Sequence, residues 1–249
     1  MKVLFYPHKV ISYARVRVIF KILGWEIIED INKDFDIIFY WNTKTINEPD
    51  KVILKLSENY PVINLRCNDV SKSNVTKIYQ EVFKNTLGVN PEKYTGRAVA
   101  KRNEGQGDKS GKIINCPCKK EKGWHYEKLL QDISTGRIQE FRVFIVGGIA
   151  AVNIKQKKIG NRFHTIVEKN EYKSINEVFN IAEVRKINQF CKEIGAEYCE
   201  LDILRDKEIY IIDVNNISGI ASFEKHYRGI YNKTNRRIGM ALNDYCIKK

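Results

Sequence analysis

The stretch from Glu200 to Gly219, ELDILRDKEIYIIDVNNISG, constrains this chain more than any other. Leu201 to Leu204 and Glu208 to Val214 are apolar runs of strand length, and the polar Arg205-Asp206-Lys207 between them is a turn, so the segment reads as an antiparallel pair. Simple alternation leaves Asp202, Asp213 and Asn215 at strand ends or on one face. Asp213 follows the apolar Ile211-Ile212, and burying a carboxylate there is costly without a cation partner. Two carboxylates and an amide oxygen are hard ligands that suit Mg²⁺ bridging substrate phosphates. From these residues alone, a turn capped by both aspartates is equally possible.

The first ninety residues have a different rhythm. Val3–Tyr6, Trp25–Ile28 and Asp36–Trp41 are strand-like runs, and Val10–Leu23 has helical spacing up to Gly24. That is the βαβ pattern of a parallel sheet. Val52–Leu56 and Val62–Leu65 are expected to add strands, and Ser71 to cap a helix reaching about Asn85. No glycine-rich dinucleotide fingerprint follows the first strand. The turn-rich LGVNPEKYTG, residues 87–96, is the best boundary. Beyond it short strands are expected at Arg97–Lys101, Lys112–Ile114, Trp124–Leu130 and Phe141–Val146, with a hairpin at Gly147-Gly148 leading to Ala150–Ile154. The Ser174/Glu177 capping box should open a helix over about 175–194 that ends at Gly195.

Composition fits a soluble globular chain, with 43% hydrophobic and 29% charged residues. No run approaches the roughly 20 apolar residues of a membrane span, and MKVLFYPHKV reads as a buried strand rather than a secretory signal. The six cysteines are scattered, which suits a reduced cytoplasm, and the Cys116-Pro117-Cys118 step lacks a second ligand pair for zinc. The net charge is +13. Residues 1–90 hold 13 Lys and Arg against 10 Asp and Glu, so +10 of it lies beyond residue 90. Such a balance favours anionic partners. Nucleic acid is the weaker reading, because only Lys225–Arg228 with Tyr231–Arg237 interleaves aromatic and basic residues, and a solvated helix face explains that stretch.

Upstream of the carboxylates, Lys101 ends a strand and a loop with Gly105, Gly107, Ser110 and Gly111 follows. Three glycines beside cations let backbone N–H groups approach phosphate oxygens, although a flexible hairpin has the same composition and the Walker spacing is absent.

In their order along the chain, these elements resemble the ATP-grasp superfamily over roughly residues 91–225. The resemblance implies an ATP-grasp fold of two α+β subdomains clasping ATP, about 91–130 for the lid and about 131–249 for the metal-binding part, preceded by a small Rossmann-like parallel-sheet domain over 1–90. It implies that Lys101 and the loop from Gly105 to Gly111 cover the phosphates, that Glu127-Lys128-Leu129-Leu130 is the adenine hinge, and that Glu140 holds the ribose. Asp202, Asp213 and Asn215 become ligands of Mg²⁺ or Mn²⁺, with aspartate at 213 where glutamate is commoner. Arg142 and Lys155 face the transferring phosphoryl group or second substrate. The implied activity is ATP-dependent ligation of a carboxylate to an amine through an acyl phosphate, with phosphoryl transfer to a hydroxyl as the rival. The acceptor is expected to be a small anionic molecule, reached by Arg162 and His164 and by His8 and Arg15 of the first unit.

Overall fold

Three apolar runs near the amino terminus pair side by side. In the computed structural model, which describes residues 1–105, 111–130, 137–159, 165–217 and 227–249, β1 (Lys2–Pro7), β2 (Glu26–Ile28), β3 (Ile37–Trp41) and β4 (Val62–Ile63) form a parallel sheet of order β2-β1-β3-β4. All five residues of β3 are buried, as a strand covered on both faces requires. Its helices are α1 (Arg15–Leu23) and α2 (Lys51–Leu56), and α3 (Lys72–Phe83) follows them but packs against the larger sheet.

Two expectations fail here. Residues 51–56 are helix rather than strand, because the Asp50 carboxylate accepts hydrogen bonds from the N–H groups of Val52 and Ile53 and so opens a helix that β-branched residues alone would not favour. The first helix begins at Arg15 rather than Val10, since the Arg17 guanidinium takes the carbonyls of Val10 and Ile11 and holds that segment outside the helix. Ser71 caps α3 as its position suggests.

A five-stranded antiparallel sheet follows, made of β8 (Arg137–Val146), β9 (Ile149–Ile159), β10 (Thr165–Lys173), β11 (Tyr198–Arg205) and β12 (Ile209–Asn215) in the order β10-β9-β8-β11-β12. A smaller sheet, order β6-β5-β7, contains β5 (Gly96–Arg102), β6 (Lys112–Cys116) and β7 (Trp124–Lys128). The helices α4 (Ile175–Val178), α5 (Ile181–Ile194) and α6 (Arg228–Lys248) complete the chain. The expected single helix over 175–194 is therefore broken. Phe179 is extended and nearly enclosed, its ring 5.7 Å from that of Phe141, and Asn180 starts a second capping box with Glu183. Arg205 stabilises the break by donating to the Val178 carbonyl and to Glu183.

The large sheet has two unlike faces. One presents Phe141, Val143, Val152, Leu201 and Ile203 to α5 and α3, where Ile187, Phe190, Tyr79 and Phe83 complete a core. Each such side chain contributes roughly 1.5–3 kcal/mol by leaving water. The opposite face carries the charged residues. Near the strand ends Phe144 and Tyr198 join Phe5, Phe39 and Trp41 of the parallel sheet, with Ile238 and Leu242 of α6, in a second core. The two sheets thus share buried surface.

Glycine is required at the end of α5. Gly195 has φ 75°, and a Cβ there would overlap the Arg66 carbonyl, whereas Gly24, at φ 68° after α1, has open space around it. Gly195→Ala should therefore lower stability by more than the roughly 1–2 kcal/mol that left-handed backbone costs at Gly24→Ala. Denaturant unfolding of both variants checks this; equal losses would remove the steric part of the explanation.

Candidate functional site

The charged face of the large sheet is built by strict alternation. Glu140, Arg142 and Phe144 of β8 lie opposite Lys155, Asn153 and Ala151 of β9, and Arg142 and Phe144 lie opposite Asp202 and Glu200 of β11. On β12 the pattern is interrupted. Ile209 and Ile211 face the apolar core, so unbroken alternation would send Asp213 there too. A bulge at this point lets Asp202 pair with Asp213 while the next partners are Ile203 and Ile211, and it turns Asp213 and Asn215 onto the charged face.

Arg142 is the hub. Its Nη1 donates to Glu200 Oε2 at 2.7 Å and its Nη2 to Asp202 Oδ2 at 3.0 Å, while Glu140 Oε1 lies 3.7 Å away. Lys157 pairs with the other oxygen of Glu140. Lys155 is 1% exposed on the same face. Asp213, half-buried, pairs with Lys72 at the start of α3.

The small sheet meets this face at the β12 edge. Lys101 on β5 is opposite His125 on β7, and its Nζ donates to Glu127 at 2.6 Å and lies 3.4 Å from the Ile212 carbonyl. Lys101, Glu127 and the carboxylate-bearing strand therefore border one cleft. His125 Nε2 is 2.8 Å from Thr76 Oγ1. Lys128 alternates to the other face of the small sheet, with Leu129 half-buried and Leu130 buried beyond it. The Gly105 N–H donates to Thr45 Oγ1 at 2.9 Å, which ties the loop entrance to the residues after β3, and Gly111 reopens the chain before β6. Gly107, Ser110, Arg162 and His164 lie outside the described residues.

Of the two amino-terminal candidates, His8 is half-buried just after β1, and Arg15 is 1% exposed and already bonded to Glu200, with no surface left for a substrate. Sequence reasoning passed over Glu200, Lys157 and Lys72. The first two were within reach, each two residues from a chosen residue on the same strand face. Lys72 was not, because nothing local links it to Asp213.

Burial works against the charged forms of Glu140, Arg142, Lys155 and Asp202, and the neighbours decide the outcome. For Glu140 they win: Lys157, Lys155 and Arg142 hold its carboxyl down to about 2. At Asp202 burial outweighs Arg142, and the carboxyl is pushed up to about 6. Burial and the facing Arg142 lower Lys155 to about 8. Arg142 is raised well above its ordinary value, because Asp202, Glu200 and Glu140 outweigh its burial. His125 is lowered, chiefly by burial, so its ring is neutral at pH 7.

No protein-family model and no curated protein matches the chain. Solved structures match it over nearly its whole length. D-cycloserine synthetase DcsG superimposes with a TM-score of 0.60 at 11% identity, covering 98% of this chain and 99% of that one. A RimK domain ATP-grasp protein from Sphaerobacter thermophilus DSM 20745 gives 0.56 at 9% identity, with 99% and 100% covered. The chain has the ATP-grasp fold. The ATP-grasp ligase PsnB, solved with a minimal precursor, Mg and ADP, gives 0.54 at 11% identity, with 95% and 96% covered.

Within this ATP-grasp fold, the donor set can be tested against a divalent cation. Among the described residues no three acidic, histidine or cysteine side chains converge into a ready cage. Two carboxylates and an amide on one face, with substrate phosphates supplying further oxygens, suit Mg²⁺, which rarely takes an all-protein cage. Asp202 Oδ1 lies 2.5 Å from Arg142 Nε and Asp213 Oδ1 pairs with the Lys72 ammonium, so both carboxylates are already turned toward positive charge. The residues fit the cation.

Because the folded pKa of Glu140 lies below its ordinary 4.5, its contribution to stability is present above pH 4.5 and is lost as the pH falls through 4.5 toward 2. Glu140→Gln should be less stable than the parent at pH 7, and the gap should close over that window. Thermal midpoints between pH 2 and 7 measure it; a gap independent of pH would overturn the pairing of Glu140 with its lysines.

Proposed function

We propose that this chain is an ATP- and Mg²⁺-dependent ligase that activates a carboxylate as an acyl phosphate for attack by an amine, releasing ADP and phosphate. The observation that carries the reading is the cleft where Lys101 and Glu127 of the small sheet face the strand bearing Asp213, beside Asp202 and Arg142. A phosphate-binding cation, a candidate metal-ligand pair and a fixed guanidinium border the same cleft, the arrangement that phosphoryl transfer needs. In this reading residues 91–249 are the catalytic unit and residues 1–90 the accessory one. Asp202, Asp213 and Asn215 hold Mg²⁺, which when bound neutralises phosphate charge.

Lys101 and the backbone of the Gly105–Gly111 loop bind phosphate oxygens, while Glu127–Leu130 line the adenine side and Glu140 meets the ribose. Arg142 faces the carboxylate oxygen that takes the γ-phosphoryl group, and Lys155, as enclosed as Arg15, acts from behind through its charge on Arg142 and Glu140 rather than by contact. The carboxylate oxygen bonds to the γ-phosphorus as the bond to ADP breaks; the amine nitrogen then bonds to the acyl carbon, the C–O bond to phosphate breaks, and the departing phosphate takes the amine proton. No protein nucleophile is required, since positioning and charge supply the rate.

The acid is a carboxylate drawn to Arg142, Lys155 and Lys157. Two structural neighbours, a D-cycloserine synthetase and a ligase solved with a precursor peptide, support a small molecule and a peptide respectively as the bearer of that acid.

Saturating Mg-ATP at 100 times its dissociation constant should stabilise the protein by about 2.7 kcal/mol, a thermal shift of roughly 5–10 °C. Asp213→Ala should forfeit most of that shift. A variant that shifts as far as the parent would remove Asp213 from the metal site. With candidate acids and amines, free phosphate should appear only when both are present; a stable phosphorylated product would make the enzyme a kinase instead.

A further inference from the structure

The ion pairs of the charged face extend beyond the residues assigned above. Arg15, the first residue of α1, lies in the other sheet's unit and is enclosed. Its Nε donates to Glu200 Oε1 at 2.9 Å and its Nη1 to Asn235 Oδ1 at 2.9 Å, and its guanidinium carbon sits 4.8 Å from the centroid of the Phe144 ring. The second oxygen of Glu200 accepts from Arg142 at 2.7 Å. A single carboxylate is therefore shared between two guanidinium groups, one outside the cleft and one bordering it.

We infer that Arg15 is a positioning residue for Arg142, acting through Glu200. The inference rests on the role given to Arg142 above. A guanidinium is a planar fork whose hydrogen bonds fix direction as well as place. Glu200 holds one side of Arg142 and Asp202 the other. With Arg15 present, Glu200 has only one oxygen to offer Arg142. Without it both oxygens turn to Arg142, and the fork rotates away from Asp202. Stability alone does not demand such an arrangement, because apolar residues of similar volume can replace buried ion pairs at little cost. Directional control of a reactive-site arginine does demand it. The parallel sheet thereby shapes the cleft without touching substrate, through the residue that starts its first helix.

The test is a double-mutant cycle on binding. Arg15→Met, Glu200→Gln, the double variant and Arg142→Met are titrated with Mg-ADP, then with Mg-ADP plus fluoroaluminate, a stand-in for the transferring phosphoryl group. Thermal midpoints are recorded alongside. In Arg15→Met, Glu200→Gln and the double variant, Mg-ADP affinity should change far less than affinity for the fluoroaluminate complex. The fluoroaluminate complex should weaken roughly tenfold to 100-fold in Arg15→Met, in Glu200→Gln and in the double variant alike, because both residues act on one target. The double variant, with neither buried charge left alone, should regain thermal stability without regaining the complex. Losses that add, a recovered complex in the double variant, or parent-like binding by Arg15→Met would each overturn the inference. If Arg142→Met also bound the complex like the parent, the role of Arg142 itself would fall, and that result is distinct from the others.

Discussion

A largely enclosed guanidinium surrounded by carboxylates sets the terms for the rest of this structure. Arg142 bonds Glu200 and Asp202 and lies near Glu140, and those carboxylates are answered in turn by Arg15, Lys157 and Lys155. Charges so enclosed cost several kcal/mol each unless geometry supplies partners on every side. The partners come from β8, β9, β11 and α1, so the network forms only when both the large sheet and the first helix are in place. Unequal neighbours also split otherwise similar carboxyls, one held low and one raised, and that is how a site keeps an acceptor of protons beside a permanent charge.

The large sheet can carry such a face because the centre of its other face is apolar. Phe141, Val143, Leu201 and Ile203 pack on α5 and α3, which fixes the strands against a core that tolerates no slip in register. The bulge on β12 exploits that rigidity. It retains Ile211 in the core and still delivers Asp213 to the cleft, two demands that an unbroken strand cannot meet together. α3 then adds a cation from a distant part of the chain, and its backbone at Lys72 and Ser73 is bonded to Asn103 at the entrance of the glycine-rich loop.

Much of this was legible in the residues. The strands around Lys101, Glu140 and Asp213, the caps at Ser71, Ser174 and Gly195, and the hairpin at Gly147-Gly148 follow from local pattern, because each depends on neighbours within a few positions. The errors fell where a distant partner outweighed local preference. Phe179 left its helix for the core beside Phe141, and Val10 to Tyr13 stayed out of α1 while Arg17 held the carbonyls of Val10 and Ile11. At Val52–Ile53 the error was local: the Asp50 cap was present in the sequence and was overlooked.

The sequence by itself determined which residues could bind charge and in what order they occur, since alternation and spacing are properties of the chain alone. Apolar periodicity also indicated the type of most long elements, though not of β10, whose polar TIVEKNEYK carries no such signal. Only the tertiary structure decided which charges meet. Lys72 reaches Asp213, Arg15 reaches Glu200, and Lys101 closes on Glu127 beside Ile212 across separations that no local rule spans. Electrostatic pairing depends on distance and on exclusion of water, and both exist only after the sheets have packed.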